Sequence, residues 1–233
     1  MINQVSEKLN MDIDVLRLKN IYKENELTHF NMPVEDWHVP FMINEIQSYA
    51  DYEERKKEIE KFNLKNKFKK RGISLTAIKC PVTFENKYFH QGSALVQIYT
   101  DGTVLISHGG IEMGQGLHTK MIQIAANTLR ISPDLIYIND TSTDRIINTT
   151  FTAASASTDI YGMAVQDACH ILYERLLPFR EQLPNGTLTD WANMAYFNSV
   201  NLAALGFYKN SIVNYNWETN TGRLYPYFTN SVA

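Results

Sequence analysis

Ser107 to Lys120 reads SHGGIEMGQGLHTK. It follows a strand-like run and opens a helix-like one. Four glycines fall inside it, Gly109, Gly110, Gly114 and Gly116, with Gln115 between the last two. Glycine at this density means that the backbone bends sharply or lies close to something. A P-loop is excluded, because Gln115 and Gly116 stand where its lysine and hydroxyl residue belong. A dinucleotide fingerprint fails too, because Thr119 occupies the place of its third glycine. What remains is a strand-to-helix corner with amides at a helix N-terminus and one neutral side chain, Gln115, that both donates and accepts. Such a corner suits an oxyanion, a carbonyl edge or a fused heterocycle, and an unliganded tight turn fits equally well.

Upstream of this corner, ISLTAIKCPVTF (73–84) and SALVQIYT (93–100) read as strands. YTDGTVLISH (99–108) is a hairpin signal with Asp101-Gly102 at the turn. Downstream, Leu117, Met121, Ile124 and Leu129 keep near-helical spacing, Ser132-Pro133 breaks the run, and DLIYIND (134–140) returns to strand. That order predicts an α/β layer. A further helix is expected from about Ile160 to Leu176, a short one over LTDWANMAYF, and a Tyr-rich, strand-prone tail after it.

The first seventy residues read as helical, with Asp12 or Asp14 placed to cap a helix over DIDVLRLKNIY. A longer helix is expected from about Met42 to Asn66, with Ile46, Tyr49, Ile59 and Phe62 on one face. Its basic end, KNKFKKRG, reads as a solvated last turn that complements the helix dipole and stops at Gly72. The expected fold class is therefore α/β (α+β), a mixed sheet with flanking helices. It divides into a mainly helical segment, 1–71, and an α/β segment, 72–233, carrying the glycine loop 109–116 and a second loop, 152–158.

That second loop, TAASAST, opens onto the helix that follows. Its small side chains let backbone amides approach a ligand, while Ser155, Ser157 and Thr158 offer hydroxyls. The ordinary reading is a helix N-cap. Two small-residue corners, each before a helix, could instead grip one flat polar ligand from two sides.

Composition narrows the classes. With 233 residues, 44% of them apolar, and a net charge of -3, the chain can build a core. That charge balance offers no general argument for nucleic acid or an anionic membrane. No apolar run approaches the ~20 residues that span a bilayer. Cys80 and Cys169 match no zinc or redox spacing, which points to a reducing compartment, the cytoplasm with the peroxisome as alternative. None of the six histidines pairs with another, or with acids, at metal-ligand spacing.

The segment GGIEMGQGLHTKM closely resembles the cofactor loop of the xanthine dehydrogenase and aldehyde oxidase family of molybdenum hydroxylases. The similarity extends to RLKNIYKENELTHFN, YTDGTVLISHGG, TSTDRIINTTFTAASASTDIYG, LGFY and YNWETNTG, across essentially the whole chain. TAASASTDIYG and NELTHFN are closer to the xanthine dehydrogenase branch; aldehyde oxidase-like specificity is the weaker alternative.

The resemblance implies a molybdenum–molybdopterin cofactor held by main-chain amides and neutral side chains, without a side-chain ligand to the metal. It implies that Gly114 and Gln115 touch the pterin and that the backbone of Ala154 lies beside the metal. Ser155, Ser157 and Thr158 would bind the pterin or its phosphate, and Phe84 would stack on a purine ring. The implied reaction is oxidative hydroxylation of hypoxanthine and xanthine to urate in purine catabolism, with electrons leaving through [2Fe-2S] clusters to FAD and NAD. The implied partners are a purine substrate, the remaining domains of the enzyme and a second copy in a homodimer, with neither nucleic acid nor membrane involved.

Two departures stand out. Glu85 occupies a position where the family member has a threonine that contacts substrate. The glutamate base of the GEPP-type motif, the FRGFG arginine segment and the iron–sulfur and FAD portions do not occur in this sequence. The chain is therefore expected to be an internal slice of a longer oxidoreductase, inactive in isolation. The alternative is a non-catalytic remnant that serves, if at all, as a binding module.

Overall fold

The computed structural model describes residues 1–233, which form two compact units, Met1–Val82 with Tyr215–Ala233 and Thr83–Asn214. The helical segment expected over 1–71 lies wholly within the first unit.

The first unit begins with helices α1 (Ile2–Leu9) and α2 (Ile13–Lys19). Of the two expected candidates Asp12 caps α2, its carboxylate accepting from the amides of Asp14 and Val15. The single helix expected over 42–66 is two. Helix α3 (Val39–Tyr49) starts earlier, with Pro40 in its first turn where a missing N–H costs nothing, and α4 (Tyr52–Lys65) follows a break at Asp51, whose φ is 47°. The break changes the buried face: Tyr49 is exposed, and Val39, Ile43 and Tyr52 are buried instead. Tyr52 hydroxyl and Lys56 Nζ reach the buried Asp14 carboxylate at 3.3 and 2.9 Å, so that charge is compensated. Strand β1 (Ala77–Pro81) pairs antiparallel with β6 (Phe228–Val232), and Met32, Val34, Leu224, Tyr225 and Phe228 form the small core.

The second unit is built on a four-stranded sheet. Strands β2 (Gln91–Ile98) and β3 (Val104–His108) form the expected hairpin, with Asp101 accepting from the Thr103 amide and Gly102 at φ 87°. Helix α5 (Leu117–Leu129) crosses over to β4 (Ile136–Ile138), which runs parallel to β3. Strand β5 (Ala203–Lys209) pairs antiparallel with the other edge of β2, giving the order β4-β3-β2-β5 and the mixed sheet that was expected.

Helix α6 (Ser157–Gln182) is longer at both ends than its sequence signal and continues through Pro178, because Leu176 and Phe179 on either side remain packed. Helix α7 (Leu188–Phe197) carries a complete capping box from Thr187 and Asp190.

Strand β2 alternates strictly between buried and half-buried residues; Ala94, Val96 and Ile98 face α5 and α6. The opposite face of the sheet leaves Leu205 and Phe207 more than half exposed. Helix α6 lies so close to β2 and β5 that glycines mediate the contact. A methyl at Gly92 would meet Ile160 at 2.6 Å, and one at Gly206 would meet the Ala164 carbonyl oxygen at 2.0 Å. No helix is long and apolar enough to cross a membrane.

Candidate functional site

The four glycines of the loop divide into two physical kinds. Gly109 and Gly110 are closed in: a methyl would strike the Thr149 side chain at 2.3 Å in one case and Leu117 at 2.5 Å in the other. Gly114 and Gly116 have φ of 95° and 76°, and nothing lies within 4 Å of where their Cβ would stand. The first pair is glycine for packing, the second for a left-handed backbone facing open space.

The expected free amides at the N-terminus of α5 are not free. Glu112 turns back over the loop, one carboxylate oxygen accepting from Gly114 N–H at 2.9 Å and Gly116 N–H at 3.0 Å, the other from His118 N–H at 3.0 Å. These amides, that of His118 foremost, hold the carboxyl below its ordinary range. An anionic side chain already complements this helix end, which removes the oxyanion reading at α5. Glutamine in place of Glu112 has one oxygen for three amides. Glu112→Gln is expected to speed hydrogen exchange at Gly116 and His118 by roughly tenfold, read by NMR; unchanged protection would mean the carboxylate is not the cap.

Gln115 folds back in the same way. Its Oε1 accepts from Met113 N–H at 2.6 Å and its Nε2 donates to the Ile111 carbonyl at 2.9 Å. A primary amide has two N–H donors and two lone pairs, so one of each is left for a ligand. Gln115 is exposed.

Two histidines that no metal-ligand spacing links meet behind the loop. His108 Nε2 lies 3.1 Å from His118 Nδ1, while His108 Nδ1 accepts from Gly110 N–H. Since the amide must donate, the neutral His108 carries its proton on Nε2 and donates it to His118. Burial, with His118 alongside, pushes the His108 imidazole down to about 4. Two imidazoles are not a metal set, and no group of three or more His, Cys, Asp or Glu residues is placed to hold an ion.

The second corner adjoins the first. Ile111 N–H donates to Thr152 Oγ1 at 2.8 Å, Thr141 Oγ1 donates to the Gly110 carbonyl at 3.0 Å, and Lys120 Nζ lies 3.5 Å from Thr158 Oγ1. The ordinary N-cap reading of TAASAST fails, because the cap residue of α6 is Ala156 and no side chain caps it. Ala154 and Ser155 are consecutive left-handed residues, at φ 50° and 55°, and both are exposed. Non-glycine residues in that region are held there against a conformational cost. Ser157 is buried and Thr158 half-buried in the first turn of α6.

Phe84 lies beside this corner, since Thr83 N–H donates to the Ala154 carbonyl at 2.9 Å. The Phe84 ring is half-buried and meets Phe151 edge-on at 4.9 Å and Phe89 at 5.5 Å. Phe89 and Phe151 close the triangle at 5.2 Å. Neither was singled out in the sequence, although Phe151 stands immediately before TAASAST. Glu85 is exposed.

The cluster thus combines open left-handed backbone, neutral donors and acceptors, hydroxyls and an aromatic edge. It suits a flat, polar, uncharged heterocycle such as a pterin. A metal carried by that heterocycle would need no ligand from the chain.

Comparison with known proteins agrees. Residues 45–233 match the model of the molybdopterin cofactor-binding domain. The chain is 44% identical, over its whole length, to xanthine dehydrogenase of Emericella nidulans, and spans 17% of that protein. It is also 44% identical, over 98% of its length, to the nicotinate hydroxylase hnxS of the same organism, again spanning 17%. Among solved structures, the aldehyde oxidoreductase of Desulfovibrio gigas superposes over 99% of this chain and 25% of its own, with a TM-score of 0.77 at 19% identity. The chain belongs to the molybdopterin cofactor-binding domain family. It is similar, at 44–45% identity, to the xanthine dehydrogenases of Emericella nidulans and Felis catus, and spans about a sixth of their length.

Proposed function

We propose that this chain supplies one wall of the cofactor site of a xanthine dehydrogenase-like molybdenum hydroxylase acting on a purine. The observation that carries the reading is the direct bond from Ile111 N–H to Thr152 Oγ1, which joins the glycine loop to the small-residue loop. Around that bond, Gly114 and Gln115 would lie along the pterin, with the spare amide proton and lone pair of Gln115 turned to it. Ala154 would present backbone beside the metal, and Ser155, Ser157 and Thr158 would hold the pterin or its phosphate at the uncapped end of α6. When bound, the cofactor supplies oxidative hydroxylation of a ring C–H bond. The chain's own residues bind and orient.

Phe84 would set the plane of the substrate ring. The relatives of equal identity are named for xanthine and for nicotinate, and the carboxylate of Glu85 would change the polarity of the pocket and disfavour any anionic ring, an ionised purine included. The general base and the iron–sulfur and FAD centres would belong to other parts of such an enzyme, with the homodimer as its expected assembly, so the chain alone should not turn over.

The test is a chimera in which this chain replaces the corresponding segment of the Emericella nidulans xanthine dehydrogenase. Gln115→Ala with Ser155→Ala, both at exposed positions, is expected to lower molybdenum content and pterin fluorescence at least tenfold in folded protein. Full retention of both in the double variant would end the proposal.

A further inference from the structure

The segment that carries Phe84 is held at both ends, and one holder is a histidine with no role so far. Thr83 has φ 82°, a left-handed conformation that a β-branched residue adopts only under constraint. Its N–H is taken by the Ala154 carbonyl. One residue on, the Phe84 carbonyl is taken by His90 Nε2. A carbonyl can only accept, so Nε2 carries a proton, and in the neutral tautomer Nδ1 is a bare acceptor. His90 is fully buried, and Nδ1 has no hydrogen-bond partner. An orphaned buried nitrogen is costly and rare, and its retention calls for an explanation. The Phe84 bond made by the other nitrogen provides one.

His90 is itself anchored to the sheet. Its carbonyl accepts from Asn210 N–H at 2.9 Å, next to the rung on which Gln91 of β2 faces Lys209 of β5. Thr150 Oγ1 donates to the Phe89 carbonyl at 2.9 Å, tying the neighbouring ring to the segment that leads into TAASAST. A continuous chain of bonds therefore runs from the sheet edge through His90, Phe84 and Thr83 to Ala154.

We propose that His90 is a positioning residue: by holding the Phe84 carbonyl against the pull of the strained Thr83, it fixes the Phe84–Phe89–Phe151 aromatic edge in register with Ala154. The inference rests on the functional reading above for what the register serves, while the register itself is a property of this chain. Strained conformations persist where the surroundings over-determine them, and these two bonds, one on either side of the Thr83–Phe84 peptide, are that constraint. Glutamine places an amide nitrogen near the position of Nε2 and preserves the donor. Leucine fills the space without one.

The test has two arms. In the 233-residue chain, nitrogen-15 NMR of His90 should show Nε2 protonated, with a slowly exchanging hydrogen, and Nδ1 bare. Contacts between the Phe84 and Phe151 rings should persist in His90→Gln and vanish in His90→Leu. In the chimeric holoenzyme, His90→Leu should raise KM for hypoxanthine about tenfold with kcat and molybdenum content within a factor of two or three, and His90→Gln should restore KM. A proton on Nδ1 in the wild-type chain overturns the proposal even if His90→Leu does not fold. So does a His90→Leu enzyme with unchanged KM and intact ring contacts. The NMR arm uses no cofactor, so it stands or falls apart from the pterin reading. Loss of molybdenum in His90→Leu would also count against it, because that outcome means general damage to the fold.

Discussion

Replacing Gly206 with alanine is expected to destabilise the second unit by about 3 kcal/mol or more and to lower its melting temperature by roughly 10 °C. The added methyl would stand 2.0 Å from the Ala164 carbonyl oxygen and 2.6 Å from the Ala168 nitrogen. Both are backbone atoms of α6, so no rotamer change relieves the overlap, and the helix must lift from the sheet. Ala94, Ala164 and Ala168 are fully buried at the same contact. Gly114→Ala is the control. Its φ of 95° makes alanine costly, but the space is open, so about 1 kcal/mol is expected. Thermal melts of the two variants by circular dichroism decide the matter; equal losses would mean that α6 is not packed on the backbone of β5.

Acid should weaken the same unit well before its carboxylates titrate. An unfolded His108 takes up its proton near pH 6.5, the folded one only near 4. Between those values the unfolded chain binds more protons, so stability falls as the pH is lowered from about 6.5 to about 4 and is insensitive to this group above 6.5. The full loss is about 3 kcal/mol. Glu112, the facing carboxylate, is held below its usual value and contributes its own loss only under about pH 4.5, which leaves the upper part of the window to the imidazole. Protection of the core amides of α5 and α6, followed by hydrogen exchange from pH 7 to 5, should fall in the wild type. In His108→Gln it should stay nearly level across the same range. Parallel slopes would show that the buried imidazole is not the responsible group.

Much of the candidate site was legible in one dimension because it is carried by contiguous small residues. GGIEMGQG and TAASAST are visible as composition, and each stands before a helix that the apolar spacing also marks. Glu112, His90 and Phe151 were not legible, for one shared reason. Each acts through a partner that local spacing does not reveal: amides that only the loop's curvature brings to one carboxylate, a carbonyl six residues away across a turn, and rings on a separate segment. The error at α5 has the same origin. Counting a helix N-terminus predicts open amides, and only the path of the loop shows that Glu112 reaches them. The break at Asp51 is not legible because a polar residue inside a helix-forming run is tolerated by propensity, whereas the left-handed backbone at Asp51 accompanies a buried set of Ile43 and Tyr52 without Tyr49.

Local pattern alone marked the strands and most of the helices in their order, the turn at Asp101-Gly102, a cap at Asp12 or Asp14 and the two small-residue corners, because turn chemistry, capping and hydrophobic period are short-range properties. Packing in three dimensions decided which glycines are closed and which open, which amides are already bonded, and that two loops some forty residues apart share one hydrogen bond. Those outcomes depend on backbone approaching backbone across the sheet and α6, which no run of neighbouring residues encodes.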